Sequence, residues 1–377
     1  MSFYGVFMQK LAVINGLRGV AILAVIYHHV FSFKTGPGFG AIDIGNITVL
    51  PFTLLANGWL GVNLFFILSG FVLFYPYALQ KKQFDCLASV KKFYFRRAIR
   101  LLPLYYFSLV ICIVFIIKPF SSASIFEDVF YLLTVTFNFT TDVSVMRYNW
   151  VLWSLGIEIW FSIVFPLLVV CIKKYGVLRV LFASLIISLV TRIIGNDAQY
   201  NIGNLYLNPV KDSLLGRLDE FLWGIFICFI YVNYLHLITK KLVFTFFTLG
   251  LLIIFLSSLS WDYVVLEILP SFIIPFINII LDVGFVMLTL ALLAMKNNVI
   301  KWLFSNDFIQ LLGIMSYSIY IWHYNAISHI IISFDLFHLS TYFILIFVLS
   351  CFSYRYIEFG KDNNIKALFL LKSTVVK

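Results

Sequence analysis

Apolar segments of roughly 18 residues or more recur along the whole chain, and no other feature of the sequence constrains the fold as strongly. Segments of this length can cross the hydrocarbon core of a bilayer as α-helices, which satisfy their own backbone hydrogen bonds there. The composition agrees, because 62% of the residues are hydrophobic and 12% are charged, whereas about a quarter are charged in a soluble domain. The sequence therefore predicts an all-α, polytopic integral membrane protein.

The apolar runs predict about ten transmembrane helices in a single membrane domain covering residues 1–377. The predicted spans are 11–33, 58–79, 99–117, 150–172, 177–194, 213–233, 242–260, 271–295, 308–332 and 339–359. The run 125–140 is too short and too polar to span, so we expect an interfacial or re-entrant segment there.

The distribution of basic residues predicts the orientation of these helices. With a cytoplasmic N-terminus, 20 of the 27 Lys and Arg residues fall on the cytoplasmic side and six on the outer side. Cytoplasmic loops are enriched in Lys and Arg, so both termini are predicted to be cytoplasmic. The net charge of +10 then reflects these loops, and no nucleic-acid partner is predicted. The five cysteines lack CxxC spacing, and no metal site is predicted.

The first span contains ionisable residues within "INGLRGVAILAVIYHHVF" (residues 14–31). Each such group costs about 2.5–3.5 kcal/mol on insertion scales, which makes it a functional candidate. Arg18 and His29 are eleven residues apart, so they share one helix face, about 16 Å apart along the axis. His28 points about 100° away and is predicted to be a bystander. A snorkelling arginine and an interfacial histidine are the alternatives.

Span 3 follows a basic cluster in "KKFYFRRAIRLLPLYY". Arg97 and Arg100 lie three residues apart and therefore share a face, which we expect at the cytoplasmic mouth. Guanidinium groups bind phosphate oxygens in a bidentate manner, so this pair suits a phosphate-bearing ligand. A stop-transfer role is the alternative, chiefly for Arg96 and the lysines.

Span 4 carries a carboxylate in "NWVLWSLGIEIWFSIVFP". Ser154 and Glu158 face the same way at a spacing of four residues, with Trp153 beside them. A buried carboxylate must be paired or neutral, and we expect His29 or Arg217 as the partner of Glu158. A purely structural ion pair is the alternative.

Three further groups of polar residues are candidates for binding the acceptor or supporting the site. They are Arg217 and Glu220 at the start of span 6, Tyr317, Tyr320 and His323 in span 9, and Ser69 in span 2. Interfacial charge could explain the first group, and an aromatic belt could explain the tyrosines. Ser69 and Gly70 most simply permit close helix packing.

Taken together, these motifs resemble the acyltransferase-3 family, the ten-span O-acyltransferases that modify bacterial surface sugars. The motifs are R-x10-H at Arg18 and His29, FFxxSGF at 65–71, RxxR at Arg97 and Arg100 before Pro103, WSLxxE at 153–158, RxxEF at 217–221 and SYxxYxxH at 316–323. One departure is Gly360, where family members often have proline. Without an appended esterase-like domain, the sequence resembles the membrane-only branch.

The resemblance implies an enzyme that uses acyl-CoA, most often acetyl-CoA, as a cytoplasmic co-substrate, with no bound cofactor. It also implies a carbohydrate acceptor, either surface polysaccharide or a lipid-linked sugar, and a multi-pass location in the bacterial plasma (inner) membrane.

The resemblance also suggests roles for individual residues. His29 is the expected general base, since a histidine pKa lies near the working pH, and Glu158 would fix its tautomer. Arg97 and Arg100 would hold the phosphates of CoA, and Arg18 would position the middle portion of the donor. A covalent acyl-enzyme on His29 or Ser69 is an alternative to direct transfer.

Two other classes of protein could also carry intramembrane His, Glu and Arg. The first is a polytopic transporter or flippase for lipid-linked sugars, although paired, broken half-repeats are not visible. The second is a glycosyl polymerase or ligase, which would need no CoA. Binding of acyl-CoA to the purified protein would separate these classes from an acyltransferase. The sequence does not indicate the oligomeric state.

Overall fold

A computed structural model describes residues 12–32, 41–44, 47–116, 125–139, 149–196, 208–296, 298–330 and 335–358. The first half contains α1 (Ala12–Tyr27), α2 (Thr53–Ala56), α3 (Gly61–Ala78), α4 (Leu87–Ile111), α5 (Ile125–Thr134), α6 (Leu152–Tyr175) and α7 (Val177–Ile194). The second half contains α8 (Leu218–Asn233), α9 (Lys240–Val265), α10 (Ile274–Ala294), α11 (Val299–Ser305), α12 (Asp307–Ile314), α13 (Ser316–Ile330) and α14 (Leu336–Ser353). A hairpin of β1 (Ile42–Ile44) and β2 (Ile47–Val49) joins α1 to α2. The predicted all-α membrane fold is confirmed.

Eight helices among the described residues are long and apolar enough to cross a membrane. They cover Ala12–Phe31, Gly58–Ala78, Leu87–Val114, Leu152–Tyr175, Val177–Ile194, Lys240–Val265, Ser271–Ala294 and Leu336–Glu358. The other two predicted spans, 213–233 and 308–332, coincide with shorter helices. The ten-span count and the orientation stay predictions.

The helices in these two predicted spans are short for different local reasons. The helix α8 has only 16 residues, because the chain before it forms turns in which Asn208 caps the backbone of Lys211 and Arg217 binds Asp212. The second predicted span, which the structure describes as far as Ile330, is divided between α12 and α13, and these meet at Met315.

Two expectations about helix boundaries have clear outcomes. The helix α4 begins at Leu87, twelve residues before the predicted start of span 3 at 99. Its early turns carry exposed Lys91 and Lys92, and lysine is a good helix former that need not enter the apolar core. The helix α5 has ten residues, about 15 Å in length, and is too short to span, as predicted.

Glycines bring the helices that carry the site into close contact. A Cβ atom on Gly70 would lie 2.0 Å from the carbonyl oxygen of Phe221, and one on Gly224 would lie 1.8 Å from that of Ile67. The close packing expected at Ser69–Gly70 is therefore confirmed for Gly70, with α8 as the partner of α3. Similarly, Gly313 of α12 lies against the backbone of α1, where a Cβ would be 1.7 Å from the Asn15 oxygen.

Candidate active site

A cavity with about 450 Å³ of empty space lies among α1, α3, α6 and α13. Its polar lining consists of Arg18, Ser69, Ser154, Glu158, Ser316, Tyr317 and Tyr320. All of these except Ser316 are site residues predicted from the sequence, and they come from four separate spans. Apolar side chains such as Phe65 and Leu155 complete the wall.

Glu158 is paired with Arg97. Arg97 donates from Nη2 to Glu158 Oε1 at 2.9 Å, and its Nε donates to Ser162 Oγ at 3.0 Å. Ser69 Oγ also donates to Glu158 Oε1, at 3.5 Å. The expectation that His29 or Arg217 would pair with Glu158 is wrong, because α4 begins early enough to place Arg97 against α6.

Arg100 forms a longer ion pair, without a hydrogen bond, with a carboxylate from the end of the described chain. Its Nη2 lies 3.8 Å from Oε1 of Glu358, which stands in a π-helical turn, Tyr354–Glu358, that continues α14. Ser318 Oγ on α13 donates to the other oxygen of Glu358 at 3.2 Å. The two arginines of the RxxR motif therefore each contact a glutamate, and Arg97 is buried instead of lying open at a helix mouth.

Arg18 is the third arginine of this region. It lines the cavity and forms no ion pair with the residues that the structure describes. Its guanidinium lies within electrostatic range of Arg97, Arg100, Glu158 and Glu358. Three guanidinium groups therefore face two carboxylates, which leaves one positive charge in surroundings where charge is poorly solvated. The cavity is electrostatically suited to an anionic ligand.

His29 and His323 form a contacting pair. His29 follows α1 in a π-helical turn, His28–Ser32, a type of turn that often occurs at functional sites. His323 Nε2 lies 3.3 Å from His29 Nδ1. His29 Nδ1 is also 2.9 Å from the carbonyl oxygen of Val25, and His323 Nδ1 is 2.7 Å from that of Tyr320.

These partners assign the neutral tautomers of both rings. His323 Nδ1 must carry its proton, since a carbonyl oxygen can only accept, and His323 Nε2 is then an acceptor. His29 Nδ1 faces two acceptors, the Val25 oxygen and His323 Nε2, so it carries the proton of that ring. Nε2 of His29 is consequently the nitrogen with a free lone pair. The tautomer is fixed by His323 and Val25, and the expectation that Glu158 would do this is wrong.

Tyr320 connects the histidine pair to the cavity. Its hydroxyl is 2.6 Å from Ser154 Oγ in the cavity wall, and its carbonyl oxygen accepts from His323. Tyr317 donates from its hydroxyl to the carbonyl oxygen of Leu101, which joins α13 to α4. Hydrogen bonding therefore accounts for these tyrosines better than an aromatic belt does. His28 contacts the carbonyl oxygen of Ala56 at 2.6 Å, a bond that holds α2.

Trp153, Arg217 and Glu220 lie in a second polar region outside the cavity wall. Arg217 Nη1 donates to Glu220 Oε1 at 2.8 Å, and the Arg217 guanidinium lies 5.7 Å from the centroid of the Trp153 ring. Arg217 and Glu220 are buried, so the alternative interpretation of these residues as interfacial charges is wrong. Arg192 and Asp282 also belong to this second polar region. They could not be predicted from the sequence, because each is an isolated charged residue in an apolar run.

The fold and the cavity define a class, a polytopic membrane protein with an arginine-bearing cavity beside a histidine pair. Residues 11–354 match the family model described as "Acyltransferase domain". The chain belongs to the acyltransferase-3 family, which confirms the resemblance drawn from its motifs.

Curated relatives carry related names. Proteins named "Putative O-acetyltransferase" in Staphylococcus aureus strains COL and MW2 are each 27% identical over 96% of this chain. A "Putative acetyltransferase" of Acidianus two-tailed virus is 29% identical over 40% of this chain and 39% of its own length. The chain spans 59% of the length of the staphylococcal relatives, and its place in the membrane-only branch stays a prediction. No solved structure matches the chain.

Proposed function

We propose that this protein is an integral-membrane O-acyltransferase of the bacterial plasma membrane. It moves an acyl group, most often acetyl, from acyl-CoA to a hydroxyl of a surface polysaccharide or lipid-linked sugar. Family membership and the names of the relatives support the reaction class. The observation that carries the proposal is His29, whose Nε2 has no hydrogen-bond partner among the described residues. His29 lies outside the lining of the positively charged cavity and is connected to it through His323 and Tyr320.

The residues suggest a direct transfer. The sugar hydroxyl attacks the thioester carbonyl carbon while His29 Nε2 accepts the hydroxyl proton. A new C–O bond forms, the C–S bond breaks, and the proton then passes from the imidazolium to the departing CoA thiolate. Tyr320 lines the cavity, and its hydroxyl can donate to the oxyanion that forms on the carbonyl if it turns away from Ser154 Oγ.

The charge of the cavity accounts for recognition of the donor. CoA is polyanionic, and Arg18 supplies the positive charge that the two glutamates do not balance. Arg97 and Arg100 add to the positive potential, although their contacts to Glu158 and Glu358 make them less available as phosphate ligands than the sequence suggested.

Substitution of Arg18 by alanine is expected to weaken the binding of acyl-CoA by about 10–100-fold, the usual value of a hydrogen bond to a charged group. Isothermal titration of the purified protein with acetyl-CoA measures this. The matched control is Arg179→Ala, which removes an exposed arginine of α7 and should leave affinity unchanged. If the wild-type protein does not bind acyl-CoA, the acyltransferase proposal fails and a transporter becomes the better interpretation.

His323→Leu removes the acceptor that faces His29 Nδ1, so we expect acyl transfer to fall about tenfold or more, with a shifted pH profile. His323→Gln keeps an acceptor oxygen and should retain more of the rate. The measurement is the transfer rate against pH for both variants in membranes that contain equal amounts of protein. Equal losses in the two variants, with an unshifted profile, would indicate a packing role only.

A further inference from the structure

A second polar cluster, which shares no residue with the cavity lining, is buried where α7, α8 and α10 meet. This acidic cluster consists of four carboxylates and two guanidinium groups, contributed by Asp212, Asp219, Glu220, Asp282, Arg192 and Arg217. Each side chain is at most 9% exposed. Buried ionic groups in a membrane protein need compensation, so the partners of every oxygen matter.

The arginines occupy one side of the acidic cluster. Arg192 binds both oxygens of Asp219, at 2.8 and 2.7 Å, and reaches Glu220 Oε1 at 3.2 Å. Arg217 binds Asp212 and also Glu220 Oε1, at 2.8 Å. Asn63 Nδ2 donates to this same Glu220 oxygen at 3.1 Å. The hydrogen bonds therefore converge on Oε1 of Glu220.

Asp282 approaches the acidic cluster from another helix and has no such partners. It is 0% exposed, and neither of its carboxylate oxygens has a hydrogen-bond partner among the described residues. Oε2 of Glu220 is likewise buried without a hydrogen-bond partner in the described chain. One oxygen from each of Asp219, Glu220 and Asp282 lies within 4.8 Å of the others. Three carboxylates thus converge, and two of them present unpartnered oxygens.

The charges of the acidic cluster do not balance. Four carboxylates exceed two guanidinium groups by two negative charges, and buried Lys211 beside Asp212 can offset only one of them. A hard cation holds oxygens at about 2.3–2.6 Å, so ligands on opposite sides of it lie roughly 5 Å apart. Three oxygens that all lie within 4.8 Å of one another are close enough to share one such cation.

We propose that Asp219, Glu220 and Asp282 bind one small hard cation, of the sodium or calcium type, which joins α8 to α10. Carboxylate oxygens are the ligands such cations prefer. The ion would supply the positive charge that the acidic cluster lacks and would hold α8 against α10. This inference does not depend on the proposed acyl transfer.

The test is thermal unfolding of the full-length protein, purified in detergent without divalent ions, in choline chloride. Addition of NaCl, CaCl2 or MgCl2 at constant ionic strength should raise the unfolding midpoint in a saturable manner for one of these salts, because a ligand of the folded state stabilises it by mass action. Isothermal titration with the active salt should give one site per chain. A midpoint that is the same in all four salts would overturn the proposal, and this measurement needs only the wild-type protein.

Asp282→Asn locates the site. It should abolish the salt-specific rise of the midpoint, whereas Asp262→Asn should retain it. Asp262 is also a buried aspartate, but it accepts a hydrogen bond from Asn57 in a separate polar group. A salt-specific rise that persists in Asp282→Asn would place the ion elsewhere and refute the assignment.

Discussion

Replacing His29 with alanine is expected to lower acyl transfer by about 10²–10⁴-fold, the usual contribution of a general base. The reason is specific to one atom, since Nδ1 of His29 is engaged with Val25 and His323, and Nε2 is the only ring nitrogen left to accept a proton. The measurement is the O-acetyl content of the surface polysaccharide by NMR, with the variant quantified in the membrane fraction. Because His29 is partly buried without an ion pair among the described residues, the protein should still accumulate.

Two other histidines serve as controls for this experiment. His236→Ala removes an exposed histidine and should leave acetylation unchanged. His28→Ala removes the neighbouring ring, which lies 5.1 Å from that of His29 and binds the Ala56 carbonyl, and should cost no more than a few-fold. Acetylation near the wild-type level in His29→Ala would refute the assignment of the base. An equal loss in His28→Ala would mean that acyl transfer depends on the conformation of the π-helical turn and not on Nε2 of His29.

Arg97→Ala is expected to destabilise the protein by about 2–4 kcal/mol, because it leaves Glu158 unpaired beside the cavity. Glu158 retains some access to the cavity, at 25% side-chain exposure, so the cost should fall below that of a fully buried pair. Glu158→Gln alone should leave the guanidinium of Arg97 uncompensated. The double variant Arg97→Ala with Glu158→Gln should be more stable than the sum of the two single changes predicts, because it removes both charges together.

Unfolding of the purified variants in detergent measures this coupling. Arg96→Ala is the matched control, since Arg96 is the adjacent residue of α4 and bonds only to the carbonyl oxygen of Lys92 among the described residues. It should change the free energy of unfolding by less than about 0.5 kcal/mol. Simple additivity of the Arg97 and Glu158 changes would show that the ion pair contributes nothing to stability.

The first helix shows how far helical periodicity alone could lead. It places Arg18 and His29 on one face because their spacing fits a near-whole number of turns, and Arg18 does line the cavity. The same periodicity could not foresee that α1 changes to a π-helical turn at His28. That change depends on packing around the end of the helix, including the bond from His28 to Ala56 in a later segment.

The partners in the ion pairs could not be predicted from the sequence. Glu158 was expected to meet His29 or Arg217, yet it meets Arg97, and Arg217 meets Asp212 and Glu220 instead. All of these side chains except Asp212 were candidates from the sequence, because ionisable groups are costly in a membrane. The free energy needed to place an ionisable side chain in the membrane depends on that residue and its own segment. Its ion-pair partner depends instead on which helices are neighbours in the folded protein.

The sequence by itself determined the class of the protein, eight of its membrane-length helices, its family and all the polar residues of the cavity except Ser316. It could do so because insertion into a bilayer is governed by the hydropathy of each segment taken alone. Only the tertiary structure decided which arginine binds Glu158, which nitrogen of His29 is free, and that Asp282 joins Asp219 and Glu220. Those contacts join residues far apart in the chain, and they form because close glycine contacts, such as Gly70 against Phe221, fix which helix faces meet.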